Sequence, residues 1–457
     1  MTTLLTLPPE ITVKIFMTFI ADIGDTFPAV LRLSPICKAL RDLVVNSPIL
    51  WSRFCIKYFR DLDGVKLFVE RSKSCLLDVS VYFNVMGSIS PEVIQSLAVA
   101  RWRKLTVRGS SSGEVKPLLQ EIINIATPYL SEVHVLPYEQ SPCYGHCPLL
   151  LGASDALRSL TLRGCVGCLA PLPNLTRLNI LRLDCTYEEF RNLIQGSPNL
   201  ITLALPQLQD RFSSETFSEP VISNRVTIEA PSVRYFAVGF TNSDLTLTGV
   251  QPLLSFLSMP NLEYLEIVGS RADYGEFSGK SFPALKTLCL RDMNFPASNP
   301  ALYRAVPNIT CLRLKDIDGV ESLTAPDENG ALPWSHLNTV RCDFWYDDPN
   351  DYSWLQKLLE HRPRLTLEFP VDQKGHIPPI TDHDVRFSDD LWGLIGGTGL
   401  GEEWEDDDEE VYSDFSGGGE FEAFGGDSWD YEYDGFENGF EEDEDYFDDD
   451  DDGDGWW

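Results

Sequence analysis

A repeated spacing of apolar residues constrains the fold of this chain more than any other feature. Apolar side chains recur at positions i, i+3 and i+5, as at Leu157, Leu160 and Leu162. Eleven such copies begin between Leu76 and Leu337, at intervals that average about 26 residues. The last two apolar positions point to the same side of an extended strand, and one strand alone cannot bury that side. The spacing therefore predicts strands stacked in parallel over a continuous core, with helices or turns on the outside.

Prolines mark the boundaries between these copies. In seven copies a proline stands two residues before the first apolar position: Pro128, Pro173, Pro198, Pro231, Pro260, Pro283 and Pro307. Its fixed φ and missing N–H end the preceding segment. This pattern resembles the leucine-rich-repeat family in an irregular form. The resemblance covers about two thirds of the chain and implies an α/β solenoid over residues 61–370, which specifies a binding surface more than a chemistry.

Residues 1–60 lack the repeat and instead carry patterns typical of short helices. Ile11, Ile15 and Phe19 follow one another at four-residue spacing, which predicts the first helix. The last predicted helix follows Ser47-Pro48 and carries Trp51 and Phe54. Helices of this length are marginal alone, so we expect them to pack together or on a partner.

The order of residues in this segment resembles an F-box, especially the fungal F-box-like form. Four landmarks carry the resemblance: Leu7-Pro8-Pro9-Glu10-Ile11, Ile15-Phe16, Cys37-Lys38-Ala39-Leu40-Arg41 and Ser47-Pro48-Ile49-Leu50-Trp51. The family usually has tryptophan where this chain has Leu40. The resemblance implies a helical module that binds a Skp-type adaptor, which joins a cullin-based ubiquitin ligase. It places the adaptor surface at Leu7, Pro8, Glu10, Ile11, Ile15, Phe16, Leu33 and Cys37, with Trp51 in internal packing. The alternative is that the segment is a helical cap over the open edge of the first repeat.

Positions i+2, i+4 and i+6 of each copy are expected on the open face of the sheet, opposite the core. Near the C-terminal end they carry a cationic cluster, Arg291, Arg313, Lys315 and Arg341, in which Arg313 with Arg341 and Arg291 with Lys315 are predicted neighbours on adjacent strands. We hypothesise that this cluster binds an acidic or phosphorylated segment of a client protein. The alternative is a solvated surface whose charges are paired locally.

Two tyrosines also fall on the predicted open face. Tyr235 and Tyr264 occupy the same i+2 position in adjacent copies. They are candidates for an aromatic anchor for the client, and the alternative is that they pack along the sheet.

The net charge of −34 is concentrated at the C-terminus. Residues 401–457 contain 27 acidic residues and no Lys or Arg, so residues 1–400 are nearly balanced. Repulsion among these acids predicts a disordered tail, rich in aromatic residues, after a linker at residues 371–400. Three interpretations of the tail remain open: it keeps the chain soluble, it binds basic partners, or it folds back onto the cationic cluster.

Several classes of function find no support in the sequence. The acidic balance argues against nucleic acid, and the absence of any apolar stretch near 18 residues argues against a membrane span. Cysteine and histidine at Cys143, His146, Cys147, Cys165 and Cys168 have roughly zinc-like spacing, but leucine-rich repeats place Asn or Cys at the Cys165 position, so no metal is predicted.

No catalytic constellation or cofactor motif is present in the sequence either. The expectation is therefore a non-catalytic, soluble protein of the cytoplasm or nucleus, and the resemblance to an F-box implies that it recruits a client protein to a ubiquitin ligase. The alternative is a repeat scaffold or acidic chaperone that binds basic proteins through the tail.

Overall fold

The computed structural model describes a defined set of residues. They are 7–23, 30, 32–56, 62–83, 101–109, 128–137, 155–165, 171–184, 187–208, 227–240, 254, 256–269, 281–294, 300–318, 320, 323, 332–343, 353–371, 384–388 and 393–396. The chain divides into two units, Met1–Glu402 and Glu403–Trp457. The second unit lies outside the described residues, and with it almost all of the predicted tail at residues 401–457, as do the candidate zinc ligands Cys143, His146, Cys147 and Cys168.

The described strands are sixteen in number and run through nearly the whole first unit. They are β1 (Arg53–Ile56), β2 (Leu77–Phe83), β3 (Trp102–Gly109), β4 (Glu132–Pro137), β5 (Ser159–Cys165), β6 (Arg177–Asp184), β7 (Thr202–Leu208), β8 (Ile228–Glu229), β9 (Tyr235–Phe240), β10 (Leu257–Ser258), β11 (Tyr264–Val268), β12 (Thr287–Asn294), β13 (Cys311–Asp318), β14 (Thr339–Asp343), β15 (Thr366–Pro370) and β16 (Asp384–Ser388). Strands β8 and β10 pair with each other, and the other fourteen form one sheet in chain order. All described pairings are parallel.

The described helices are few and mostly short. They are α1 (Pro9–Ile23), α2 (Lys38–Asn46), a 3₁₀ helix (Pro48–Trp51), α3 (Leu62–Ser72), α4 (Tyr187–Gln195), α5 (Pro300–Ala305), α6 (Ser353–His361) and α7 (Gly393–Gly396). None of them is long and apolar enough to cross a membrane. The predicted α/β class with a parallel sheet is thus confirmed.

The repeated apolar positions form the core of this sheet. Leu265 of β11 lies opposite Leu288, Leu288 opposite Leu312, and Leu312 opposite Val340, so equivalent positions stack from strand to strand. All four side chains are fully buried. The first copy departs from the prediction, because Leu77 rather than Leu76 enters the core, in step with the alternating inward residues of β2.

An asparagine after the boundary proline links successive copies. The Nδ2 of Asn199 donates to the carbonyl of Pro173 at 2.8 Å, and Asn261 donates to Pro231 at 2.8 Å. Asn308 donates to the carbonyl of Pro283 in the same way, at 2.9 Å. Each bond satisfies a turn carbonyl that no strand partner reaches, so the amides tie each turn to the one before it.

The N-terminal helices pack around one tryptophan. The indole Nε1 of Trp51 donates to the carbonyl of Val44 at 2.8 Å, and its ring meets that of Phe68 at 5.0 Å between centroids. The guanidinium of Arg71 lies 5.1 Å from the Trp51 ring centroid. The predicted internal role of Trp51 is confirmed. These contacts fix α2, the 3₁₀ helix and α3 to one another.

The sheet extends beyond both predicted boundaries. Residues around Phe54 were expected on a helix, but Phe54 and Ile56 alternate inward on β1, which pairs with β2. Residues 371–400 were expected to be a linker, but β16 pairs there with β15, and α7 follows it. The alternation of Val385 and Phe387, which pack against the core, explains why β16 adds to the sheet.

Candidate protein-binding surfaces

Helix α1 carries apolar side chains on two faces. Thr12, Phe16 and Ile20 face inward and are buried. On the outer side, Ile11, Ile15 and Phe19 remain 46%, 42% and 47% exposed. Residues spaced by four lie on one side of a helix, so these three side chains form a continuous stripe, here called the apolar face. Contiguous exposed apolar surface of this kind is typical of a protein-binding site.

The structure divides the predicted adaptor-binding residues into exposed and buried groups. Pro8, Glu10, Ile11 and Ile15 are exposed, and Leu7 and Cys37 are partly exposed. Phe16 and Leu33 are in the core, which corrects their assignment to the surface. Phe16 lies inward because it belongs to the inner stripe of α1, and Leu33 is buried in the same apolar core.

Three exposed apolar residues of the N-terminal segment were missing from the predicted surface: Phe19, Ile36 and Ile49. Phe19 continues the four-residue spacing of Ile11 and Ile15, and this signal was already visible in the sequence. Ile36, 64% exposed, lies in the turn before α2 and next to Cys37. The spacing of Ile36 to Leu40 predicts that Ile36 shares the buried face of this helix, but α2 begins only at Lys38, so Ile36 lies before the helix and is exposed.

The open face of the sheet brings the predicted cations into the expected rows. Arg313 of β13 lies opposite Arg341 of β14, and Arg291 lies opposite Lys315. Both neighbour predictions are confirmed.

Carboxylates pair with three of these four cations. Arg291 Nη1 lies 3.3 Å from Glu266, Lys315 Nζ lies 3.5 Å from Asp343, and Arg341 Nε lies 3.8 Å from Glu368. The alternative of local pairing therefore describes these three cations. Their positive charge is largely compensated within the sheet, which leaves little net field to attract an anionic client.

Arg313 has a different environment. Its guanidinium lies 5.8 Å from the ring centroid of Tyr264, and it also interacts with Cys311. Within the described part of the chain, no carboxylate forms an ion pair with Arg313. It is partly buried, so the stacking on Tyr264 holds the cation in place rather than presenting it to solvent.

The two predicted tyrosines lie side by side but differ in accessibility. Their ring centroids are 6.2 Å apart. Tyr264 is buried, and burial raises the pKa of its phenol well above the usual range. Tyr235 is 39% exposed. Of the pair, Tyr235 has the accessible ring, whereas Tyr264 packs along the sheet and positions neighbouring groups.

A buried carboxylate occupies the centre of the open face. Glu266 is fully buried, and its Oε2 accepts a hydrogen bond of 3.1 Å from the hydroxyl of Tyr264. The same oxygen accepts bonds from the backbone N–H groups of Leu394 and Ile395 in α7. Its Oε1 lies 3.3 Å from Arg291. Four donors from three segments thus converge on one side chain.

A second polar cluster lies on β3 and β4. Glu132 accepts from Lys104 Nζ at 2.8 Å, and its Oε1 lies 2.6 Å from Nε2 of His134. The hydrogen bond with His134 is the main cause that lowers the pKa of Glu132 to about 2. This cluster also pairs opposite charges, so the open face is balanced at this position too.

In the described residues, no group of three His, Cys, Asp or Glu side chains could hold a metal ion. The geometry offers surfaces for other macromolecules: an apolar face on α1 and an open sheet face with a fixed central carboxylate. No protein-family model matches this chain, and no curated protein does so either.

Proposed function

We propose that this chain is the substrate-recognition subunit of a Skp/cullin/F-box-type ubiquitin ligase. Residues 1–60 act as an F-box-like module that binds a Skp-type adaptor. The parallel sheet is a leucine-rich-repeat solenoid whose open face binds a client protein. The observation that carries the proposal is the apolar face of α1, which lies within the F-box-like landmarks and is left uncovered by the described residues.

The apolar face has the chemistry that a helix-binding partner requires. Burying an isoleucine or phenylalanine side chain contributes about 1.5–3 kcal/mol, so covering three of them supplies much of the energy of a stable complex. The inner stripe of α1 anchors the helix to the module through Phe16 and Ile20. A rigid helix presented in this way is preorganised, which lowers the entropic cost of association.

The repeat supports the assignment of the sheet as a solenoid. Fourteen strands follow one another in chain order, and each copy contributes the same apolar positions to one core. Such an array offers an extended surface for a client. The chain itself performs no chemistry in this proposal. Its contribution is to hold the client beside the ubiquitin-loaded machinery, an effective-concentration effect in the cytoplasm or nucleus.

The test is adaptor binding by an Ile11→Asp/Ile15→Asp variant of the full chain. The matched control is Ile201→Asp/Val371→Asp, which places the same charges just before β7 and just after β15, at residues that are 40% and 42% exposed. We expect the first variant to lose at least about a hundredfold in affinity for a purified Skp-type adaptor, since two exposed isoleucines that the adaptor would cover are replaced by charges, and the control to bind like the wild type. Circular dichroism should show both variants folded.

Two results would contradict the proposal. One is equal adaptor binding by both variants, which would exclude the apolar face as the docking surface. The other is the failure of the wild-type chain to recover adaptor and cullin from a cell extract. If basic proteins are recovered instead, that result favours the alternative function, a repeat scaffold or acidic chaperone.

A further inference from the structure

The open face of the sheet already holds a segment of its own chain. Helix α7 lies against β7 and β9, and two of its backbone N–H groups donate to Glu266 on β11. The carboxylate and its donors are 128 residues apart in sequence. This is a tertiary contact on the face that the proposed function assigns to the client.

The row of residues beneath α7 contains two small side chains beside Glu266. Ala204 of β7, Ala237 of β9 and Glu266 occupy directly opposed positions on three neighbouring strands. They alternate with core residues such as Leu205 and Val238, so they point to the open face, yet all three are buried. Small residues leave the depth that a helical turn needs. Leu394 and Ile395 are themselves half-buried.

Glu266 is held in a fixed orientation for donors that come from outside the sheet. Arg291 binds one carboxylate oxygen, and Tyr264 binds the other. A fully buried carboxylate must have its remaining lone pairs satisfied, because an unmade bond to it is costly. The two N–H groups of α7 meet that requirement. They belong to the first turn of a helix, where backbone donors have no intrahelical acceptor.

We propose that the face centred on Glu266, Ala204 and Ala237 is a peptide-binding groove, and that α7 is its intramolecular occupant. The groove takes a neutral, apolar segment of a client, which presents two successive unpaired N–H groups as the first turn of a helix. This inference rests on the proposed function for the identity of the client as a ubiquitin-ligase substrate. It also names the client chemistry differently from the sequence-based hypothesis, because Glu266 repels a phosphate or a carboxylate at the centre of the groove.

The occupied groove implies competition between α7 and the client. An intramolecular segment acts at an effective concentration in the millimolar range, so a weak intramolecular contact excludes a free peptide of similar affinity. Release of α7 should therefore raise client affinity without any change in the sheet.

The experiment measures binding of a fluorescent peptide of residues 391–400, which has no charged side chain, to the full chain by anisotropy. Leu394→Asp/Ile395→Asp is the release variant, since it places two carboxylates on the residues whose N–H groups bind Glu266, and like charges repel. We expect it to bind the peptide at least about tenfold more tightly than the wild type. Adding Glu266→Gln to the release variant should weaken binding about tenfold, because a charge-assisted acceptor is lost. Adding Glu263→Gln, which changes a partly buried carboxylate just before the same strand, should have no effect.

A modified peptide distinguishes specific binding in the groove from nonspecific apolar binding. N-methylation of the two amides at positions 394 and 395 removes the proposed donors and keeps the side chains. We expect this peptide to bind the release variant at least about tenfold more weakly than the parent peptide. Equal binding of both peptides would overturn the proposal, as would equal binding of the parent peptide by wild type and release variant.

Adaptor recovery from extract is measured on the same proteins. The release variant should recover adaptor like the wild type, since Leu394 and Ile395 lie outside the N-terminal module. Peptide binding without adaptor recovery would support the groove and contradict the proposed ligase function. Adaptor recovery without peptide binding would contradict the groove and leave the proposed ligase function supported.

Discussion

The buried pair of Glu266 and Arg291 allows a quantitative test of how the open face is stabilised. Glu266 is fully buried, and the Arg291 side chain is 12% exposed. Removing one partner of a buried pair leaves an uncompensated charge and costs about 3–5 kcal/mol. We expect Arg291→Met to destabilise the chain by about 3 kcal/mol, near the lower bound, because Tyr264 and α7 still donate to the carboxylate. Replacing both partners, as in Arg291→Met/Glu266→Leu, removes the charges together and should cost only about 1–2 kcal/mol.

The assay is a double-mutant cycle by urea unfolding, monitored by circular dichroism at neutral pH. Glu266→Leu alone leaves Arg291 buried and unpaired and should also cost about 3 kcal/mol. With about 1–2 kcal/mol for the double variant, the expected coupling between the two positions is about 4–5 kcal/mol. The exposed pair of Lys286 and Glu263, 3.3 Å apart on the same two strand regions, is the control, with an expected coupling below about 1 kcal/mol. Additivity of Arg291→Met and Glu266→Leu to within about 0.5 kcal/mol would refute the reasoning.

Two further predictions concern the repeat and the cluster on β4. Asn261→Ala should lower the free energy of unfolding by about 1 kcal/mol, because the Pro231 carbonyl loses its donor. A neutral effect in urea unfolding would contradict the proposed role of the asparagines. For Glu132, the folded pKa of about 2 lies below the unfolded value near 4.5, so its stabilisation is present above pH 4.5 and declines as the pH falls toward 2. The carboxylate is 36% exposed, which limits the effect to about 1 kcal/mol after screening. Glu132→Gln should remove this acid-dependent loss, and an unchanged pH profile would contradict the assignment.

The parts of the fold that depend on short-range periodicity could be predicted from the sequence. Each copy places its apolar residues two positions apart on a strand, and parallel stacking is the arrangement that buries all of them. The same argument gave the neighbours on the open face, Arg313 with Arg341 and Arg291 with Lys315. Periodicity defines which residues share a row, because register in a parallel sheet follows from alignment of the copies.

The parts that depend on long-range contacts could not be predicted in this way. Both faces of α1 are apolar, so spacing alone does not decide whether Phe16 or Phe19 enters the core. Packing against the neighbouring helices decides it. Likewise, the four residues of α7 are too few to show a period, and their contact with Glu266 joins positions 128 residues apart. The ion pairs of the cationic cluster depend on how far each side chain extends toward the neighbouring strand. Knowing which residues share a row does not give that distance.

The balance of charges on the sheet changes which kind of surface is available to a partner. A cluster of four cations in sequence suggests attraction of an anion, but three of the four are paired with carboxylates of neighbouring strands. For a partner that displaced these carboxylates, the binding free energy would have to offset the lost ion pairs and the desolvation of the partner's own charge. Covering the apolar face of α1 or the exposed ring of Tyr235 carries no such cost, since only apolar surface leaves water. Recognition by the described surfaces is therefore better served by apolar contacts and unpaired backbone donors than by charge attraction.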